Sequence, residues 1–291
     1  MHLERMHALY DPQADARLPF KYMVEFGVIH GFCSAIASFA LGFPDEALRR
    51  AHAGIARGRA RQPINLCAAL NFGGHVPLSR GEPALALEWA DEALALSQAN
   101  GFEFISPFAL INRGSARAQL GVVAGGLAEI RVGIAAWRAA GSGLWLARHL
   151  ILLAEASLLD RQAAAAISIA DEALAAIARG GERHFLAPAL AIKGDALLMA
   201  DAAQSGAAEG CYRKALDVAR SQSAKAWELR AATRLARLWH AQGRTGAARD
   251  LLAPVQGWFS EGHTTHDLQA AQALLDALRT DRPLAGEGGA T

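Results

Sequence analysis

Apolar residues along this chain fall in long stretches with helical spacing, and short breaks carrying Gly or Pro separate them. The segment His266–Arg279 shows the pattern plainly: Leu268, Ala271, Leu274, Leu275 and Leu278 share one face, and polar residues take the other. Small residues in the middle of the apolar stretches recur with a fixed period. Ala35, Gly74, Gly114, Ala154, Gly194 and Ala236 are separated by 39, 40, 40, 40 and 42 residues. A second small residue follows 12 positions later at Ala47, Ala86, Gly126, Ala166 and Ala248. In the fifth unit the gap is 14, to Ala208, which predicts a two-residue insertion in the turn around Asp201–Ser205. A third site lies seven residues further on, at Gly54, Ala93, Gly133, Ala173, Ala215 and Val255. Two antiparallel helices approach closely only where a small side chain sits at the crossing, so this period predicts stacked helix pairs.

The breaks fall where such pairs need them. Gly42-Phe43-Pro44-Asp45, Arg80-Gly81-Glu82-Pro83, Leu120-Gly121 and Gln242-Gly243-Arg244 separate first from second helices. Gly ends a helix in left-handed backbone, and Pro suits the first turn of the next. Asn100-Gly101, Ala140-Gly141 and Gly180-Gly181 separate units. Helix pairs are therefore expected at 24–60, 63–99, 103–140, 144–179, 184–221 and 223–260. The expected organisation is a lead-in helix (Leu3–Tyr10) and loop over 1–20, a repeat array over 21–262, a capping helix over 263–280, and a disordered tail over 281–291.

Composition supports an all-α array. The chain of 291 residues is 52% hydrophobic and 7% aromatic, and its Val and Ile are too sparse for a sheet. A net charge of +1 gives no reason to expect nucleic acid or an anionic membrane as partner. Cys33, Cys67 and Cys211 are odd in number and far apart, which fits reduced thiols in a cytoplasmic protein. No apolar signal-peptide core follows Met1-His2-Leu3-Glu4-Arg5. Phe26–Phe43 is free of formal charge, but His30, Ser34, Ser38 and three Gly point to a buried helix rather than a membrane span.

The segment Gly81-Glu82-Pro83-Ala84-Leu85-Ala86-Leu87-Glu88-Trp89-Ala90-Asp91-Glu92-Ala93-Leu94 resembles the second half of a tetratricopeptide repeat. The period near 40 is longer than the usual ~34 residues. Tyr212–Arg220, Trp227–Thr233, Leu235–Trp239, Ala247–Pro254 and Gly257–Gly262, with Leu9-Tyr10-Asp11-Pro12 at the entry, resemble the C-terminal arm of bacterial adenylate/guanylate cyclases and their AAA/STAND-type ATPase relatives. The resemblance covers essentially the whole chain and is most specific near its end. It implies a right-handed α-solenoid of about six tetratricopeptide-like helix pairs, and an interaction arm attached to or partnering a signalling ATPase or cyclase. No GxxxxGK[ST] phosphate loop is present, so the relatives' nucleotide chemistry is not carried over.

No local set marks catalysis, and no enzyme activity, cofactor or metal is expected. His263, His266 and Asp267 have ligand-like spacing, but Thr264, Thr265 or Asp267 capping the last helix accounts for them more simply. Arg49, Arg50, Arg57, Arg59 and Arg61 fit the solvated end of a helix. The six Trp residues are expected to pack between repeats. First helices line the concave side of this architecture, and their inward polar positions project to Asn71, His75, Ser115, Arg148, Glu155, Asp195, Arg230, Arg237 and His240. Mixed polarity there suits a protein or peptide segment, with a small inducer molecule as the alternative.

Overall fold

In a computed structural model the described residues are 24–280. The lead-in expected over 1–20 and the tail expected over 281–291 lie outside them. Among the described residues the chain is helical without strands. The first helices of the six pairs are α1 (Phe26–Ala40), α3 (Pro63–Gly73) continued by α4 (His75–Arg80), α6 (Ser106–Gln119), α8 (Leu146–Leu159), α10 (Leu186–Ala200) and α12 (Lys225–Ala241). Their partners are α2 (Pro44–Arg59), α5 (Pro83–Asn100), α7 (Val123–Ala139), α9 (Ala163–Gly180), α11 (Ser205–Ser221) and α13 (Thr245–Gln256). Helix α14 (His266–Thr280) closes the array. This is a right-handed α-solenoid with a C-terminal cap.

The small residues sit at the crossings. Ala35, Ala47, Ala154, Ala166, Ala208, Ala236 and Ala248 have no exposed surface. At the centre of the third unit the backbones nearly touch. A Cβ on Gly114 would lie 2.6 Å from the Gly126 carbonyl oxygen, and one on Gly126 would lie 2.4 Å from that of Gly114. In the fifth unit the ring of Tyr212 lies across Gly194, and its hydroxyl donates to Asp195 Oδ1 at 2.8 Å. The longer spacing there is a 3₁₀ turn, Ala202–Gln204, capped by Asp201 accepting from Ala203 N. Two positions differ from the sequence pattern. Gly74 breaks a first helix into α3 and α4, and in the first unit the closest approach falls at Gly31 against Gly54.

Left-handed backbone appears at Gly42, Gly81, Gly121 and Gly243 within pairs and at Gly101, Gly141 and Gly181 between them. Pro44 and Pro83 open their helices. The cap buries Leu268, Ala271, Leu274, Leu275 and Leu278, the five residues of its apolar stripe. Helix α1 packs with Val28, Phe32, Ala35 and Phe39 in the core, and no described helix is long and apolar enough to cross a membrane. The three cysteines are free thiols.

The array curls until its ends meet. Glu261 Oε1 accepts from the amides of Asp45 and Glu46 at 2.9 and 3.0 Å, capping the N-terminus of α2 from 216 residues away. Asp45 returns the contact by accepting from Gly262 N at 2.8 Å and holds buried Arg80 at 2.9 Å. Arg230 on α12 donates to the Ser79 carbonyl oxygen at the end of α4. Apolar groups line the same seam: Phe43 packs on Trp258, and Phe39 on Trp227.

Candidate binding cleft on the inner wall

Curling turns the inner faces of the first helices toward one another, and they are not apolar. Arg148, at the start of α8, is 2% exposed. Its Nε donates to His75 Nδ1 at 2.6 Å and its Nη1 to Asn112 Oδ1 at 3.1 Å, while Asn112 donates to the Asn71 carbonyl oxygen at 2.8 Å. The guanidinium stands over the rings of Phe108 and Trp145 at 5.9 and 5.7 Å. Its Nη2 has no hydrogen-bond partner among the described residues. Burial brings the Arg148 pKa down to about 9, with the nearby Glu155 charge opposing. Burial, followed by the positive fields of Arg148 and Arg230, holds His75 well below the usual imidazole range. His75 therefore accepts from Arg148 as a neutral ring.

Further along the inner wall, α8, α10 and α12 line a small, partly open cleft with room for about one water molecule. Glu155, Ala187, Pro188, Ala191, Ile192, Trp227, Arg230 and Arg234 line it. Arg230 and Arg234 lie one turn apart on α12, and Trp227 lies one turn before Arg230. Arg230 Nε donates to Asp267 at 2.7 Å, and its guanidinium stands 4.9 Å from the Trp227 ring. Arg234 Nε donates to both oxygens of Asp195, at 3.0 and 2.7 Å. Burial opposes the Arg234 charge, but the Asp195 carboxylate outweighs it and raises the pKa. Glu155 differs from both aspartates. It makes no hydrogen bond or ion pair with the described residues, and burial raises its pKa against the fields of Arg230, Arg234 and Arg148.

The residues projected from sequence divide into three groups. Glu155 and Arg230 face the cleft directly, and Asp195 stands behind Arg234. Asn71, His75, Ser115 and Arg148 are buried inside the wall rather than open to a groove, because the array has curled over them. Arg237 is exposed, and His240 lies near Thr245 at the outer turn, with its Nδ1 at 3.4 Å from the hydroxyl. Sequence reasoning missed Arg234. Its signal is a spacing of 39 from Asp195, close to one repeat, which sets opposite charges side by side on adjacent first helices. Trp258, expected to pack, is 41% exposed at the seam. Asp267, considered as a metal ligand, pairs with Arg230, and His263 and His266 are exposed. In the arginine cluster, Arg49 and Arg50 pair with Glu46, Arg59 with Glu92 and Arg61 with Glu25.

No protein-family model and no curated protein matches the sequence. Solved structures do match. The apo form of RapI aligns with a TM-score of 0.57 at 11% identity, over 85% of this chain and 84% of that one. A Rap protein in complex with competence and sporulation factor gives 0.57 at 10% identity, over 96% of this chain and 79% of that one. The TPR2AB domain of yeast Sti1 in complex with pHSP90 aligns at only 0.36 with 14% identity, over 87% of this chain and 98% of that one, and carries no argument. At these identities the likeness establishes a shared helical-repeat fold.

Proposed function

We propose that this chain is a non-catalytic interaction and regulatory module whose inner wall receives a protein segment and relays its presence between the two ends of the array. One observation carries this reading. Arg148, Glu155, Asp195, Arg230 and Arg234 stand together where a purely structural interior would be apolar. Burying ion pairs is often no better for stability than burying apolar residues of similar volume, so such a wall is expected where recognition is required. The seam supports the relay, since Arg230 belongs to the inner wall and also to the contact with Ser79 and Asp267. The sequence resemblance names a signalling ATPase or cyclase domain as partner, in the cytoplasm. That a Rap protein was solved with competence and sporulation factor is consistent with binding by this fold. The test is affinity capture with the full chain and with Arg230→Gln, both checked by circular dichroism. A specific partner is expected with the native chain and lost with the variant. Capture of no specific partner overturns the reading.

A further inference from the structure

We infer that the turn Leu120-Gly121-Val122, with the start of α7, is a docking site for a partner segment that carries an aromatic side chain followed three residues on by a carboxylate. None of the inner-wall residues takes part, so the inference does not rest on the function proposed above.

The molecule holds this turn twice. Leu41-Gly42-Phe43 and Leu120-Gly121-Val122 lie 79 residues apart, or two repeats, and their backbones bond alike. The amides of Leu41, Gly42 and Phe43 donate to the carbonyl oxygens of Ala37, Phe39 and Ser38. Those of Leu120, Gly121 and Val122 donate to Ala116, Ala118 and Arg117, the same offsets in the same order. Both glycines are left-handed, at φ 97° and 92°. The next helix then opens with the same bond: Ala47 N donates to the Phe43 carbonyl oxygen and Gly126 N to that of Val122, each at 2.9 Å.

Only the surroundings differ. The loop after α13 covers the first copy. The Trp258 ring and Lys225 Cβ stand 2.6 and 2.7 Å from where a Cβ on Gly42 would lie, and Phe43 packs on Trp258 at 5.6 Å. Glu261, three residues after Trp258, caps the Asp45 and Glu46 amides. The second copy is bare. Nothing among the described residues lies within 4 Å of a Cβ on Gly121, and Leu120 and Val122 are each 47% exposed. Helix α7 begins without a side-chain cap, so the amides of Ala124 and Gly125, the counterparts of Asp45 and Glu46, still need an acceptor. Arg117, whose Nη1 pairs with Glu129, turns its Nη2 toward Gly125, 3.5 Å from where a Cβ there would lie. Helix α2 brings two acids of its own to its first turn and α7 brings none, so a carboxylate meets less repulsion at α7. Leu159 and Met199, exposed at the ends of α8 and α10, continue the apolar edge into the next two units. The first copy therefore shows the chemistry that fits the second: a ring on the apolar turn and a carboxylate on the helix start.

The test is fluorescence anisotropy with a labelled peptide of residues 255–263, which carries Trp258 and Glu261, added to the full chain. Saturable binding is expected with a Kd of about 1 mM or tighter. Trp258→Ala or Glu261→Gln in the peptide is expected to weaken it about tenfold or more. In the chain, Val122→Asp places a competing carboxylate at the start of α7 and should abolish binding. Val132→Asp, the same change at a position of α7 that is 59% exposed, should leave it intact. Circular dichroism checks both folds, and Leu120→Asp replaces Val122→Asp if the latter does not fold. No saturable binding up to about 1 mM would overturn the inference, as would binding that ignores the loss of Trp258 or Glu261 from the peptide. Full affinity in the Val122→Asp or Leu120→Asp chain would place the peptide elsewhere and overturn it too. Binding seen only after deletion of residues 1–23 would make the chain's own lead-in the occupant and overturn a partner.

Discussion

The middle of the array holds its helices by close packing, whereas the seam adds hydrogen bonds and charge between segments far apart in sequence. At the α6–α7 crossing, Gly114 and Gly126 let two backbones approach so closely that neither position has room for one carbon. Where residues 42–46 meet 258–262, hydrogen bonds and charge are added to close packing: a Cβ on Gly262 would lie 2.1 Å from Pro44 Cγ and one on Gly42 2.6 Å from the Trp258 ring. Close packing is steric and dry. It either fits or forces the helices apart. A polar seam exchanges its bonds for water at modest net cost, because each bond contributes only about 0.5–1.5 kcal/mol. The comparison assigns stability to the crossings and adjustability to the seam. Between the two lies the inner wall, whose buried Arg148 and neutral His75 make it sensitive to pH.

Breaking the crossing gives the largest effect. Gly126→Val places carbon against the Gly114 carbonyl oxygen and Ala118, and must separate α6 from α7. A loss of about 3 kcal/mol or more is expected, at the upper end of overpacking costs. Urea denaturation followed by circular dichroism measures it, and a loss below about 1 kcal/mol would mean that the crossing is looser than its geometry.

Acidification comes next. His75 and His149 are held well below the usual imidazole range, both by burial first and Arg148 second, with Arg230 and His184 adding to the effect on His75. A lowered pKa in the folded state means that the unfolded chain takes up protons the fold refuses, so stability falls as pH drops below about 6.5. Two such groups are expected to remove about 2–3 kcal/mol between pH 7.5 and pH 5.5. Glu155, whose pKa is raised, works the other way and offsets part of this loss as it takes up its proton. His149 packs against Phe108 and Trp137 with both ring nitrogens unsatisfied among the described residues. Because burial lowers His184 as well, His149→Phe should remove about a third to a half of the acid loss, and it should add about 1 kcal/mol at neutral pH by keeping the ring packing and removing two buried orphan groups. An unchanged pH dependence in that variant would place the titration elsewhere.

What the sequence makes legible follows from how local each signal is. The crossings, the Gly turns and the extra turn after Ala200 depend on residues within one unit, so a period of about 40 exposes them. The cap is legible because its five apolar residues share one face of one helix. The curl is not local. Glu261 and Asp45 are 216 residues apart, and no period links them. Without the curl, Asn71 and Arg148 project onto an open concave face. The curl converts them into buried residues and leaves Glu155, Arg230 and Arg234 at the remaining opening. Arg234 is recoverable only by pairing charges across units, which requires knowing that adjacent first helices lie side by side.

The seam offers the smallest change in stability and the sharpest test of the comparison. Glu261→Ala removes the acceptor that caps the first amides of α2, leaving Asp45 to hold Gly262 and Arg80. Loss of a helix cap costs about 0.5–2 kcal/mol, and α2 lies against α1 through Ala47 and Gly54 whether or not the seam is closed. The pair should stay folded while the ends part. Small-angle scattering should then show a larger radius of gyration, and Trp258, already 41% exposed, should become more accessible to a fluorescence quencher. Circular dichroism should retain the full helix signal. If Glu261→Ala instead unfolds the chain in the same transition as Gly126→Val, seam and crossings form one cooperative unit, and the proposed division of labour between them fails.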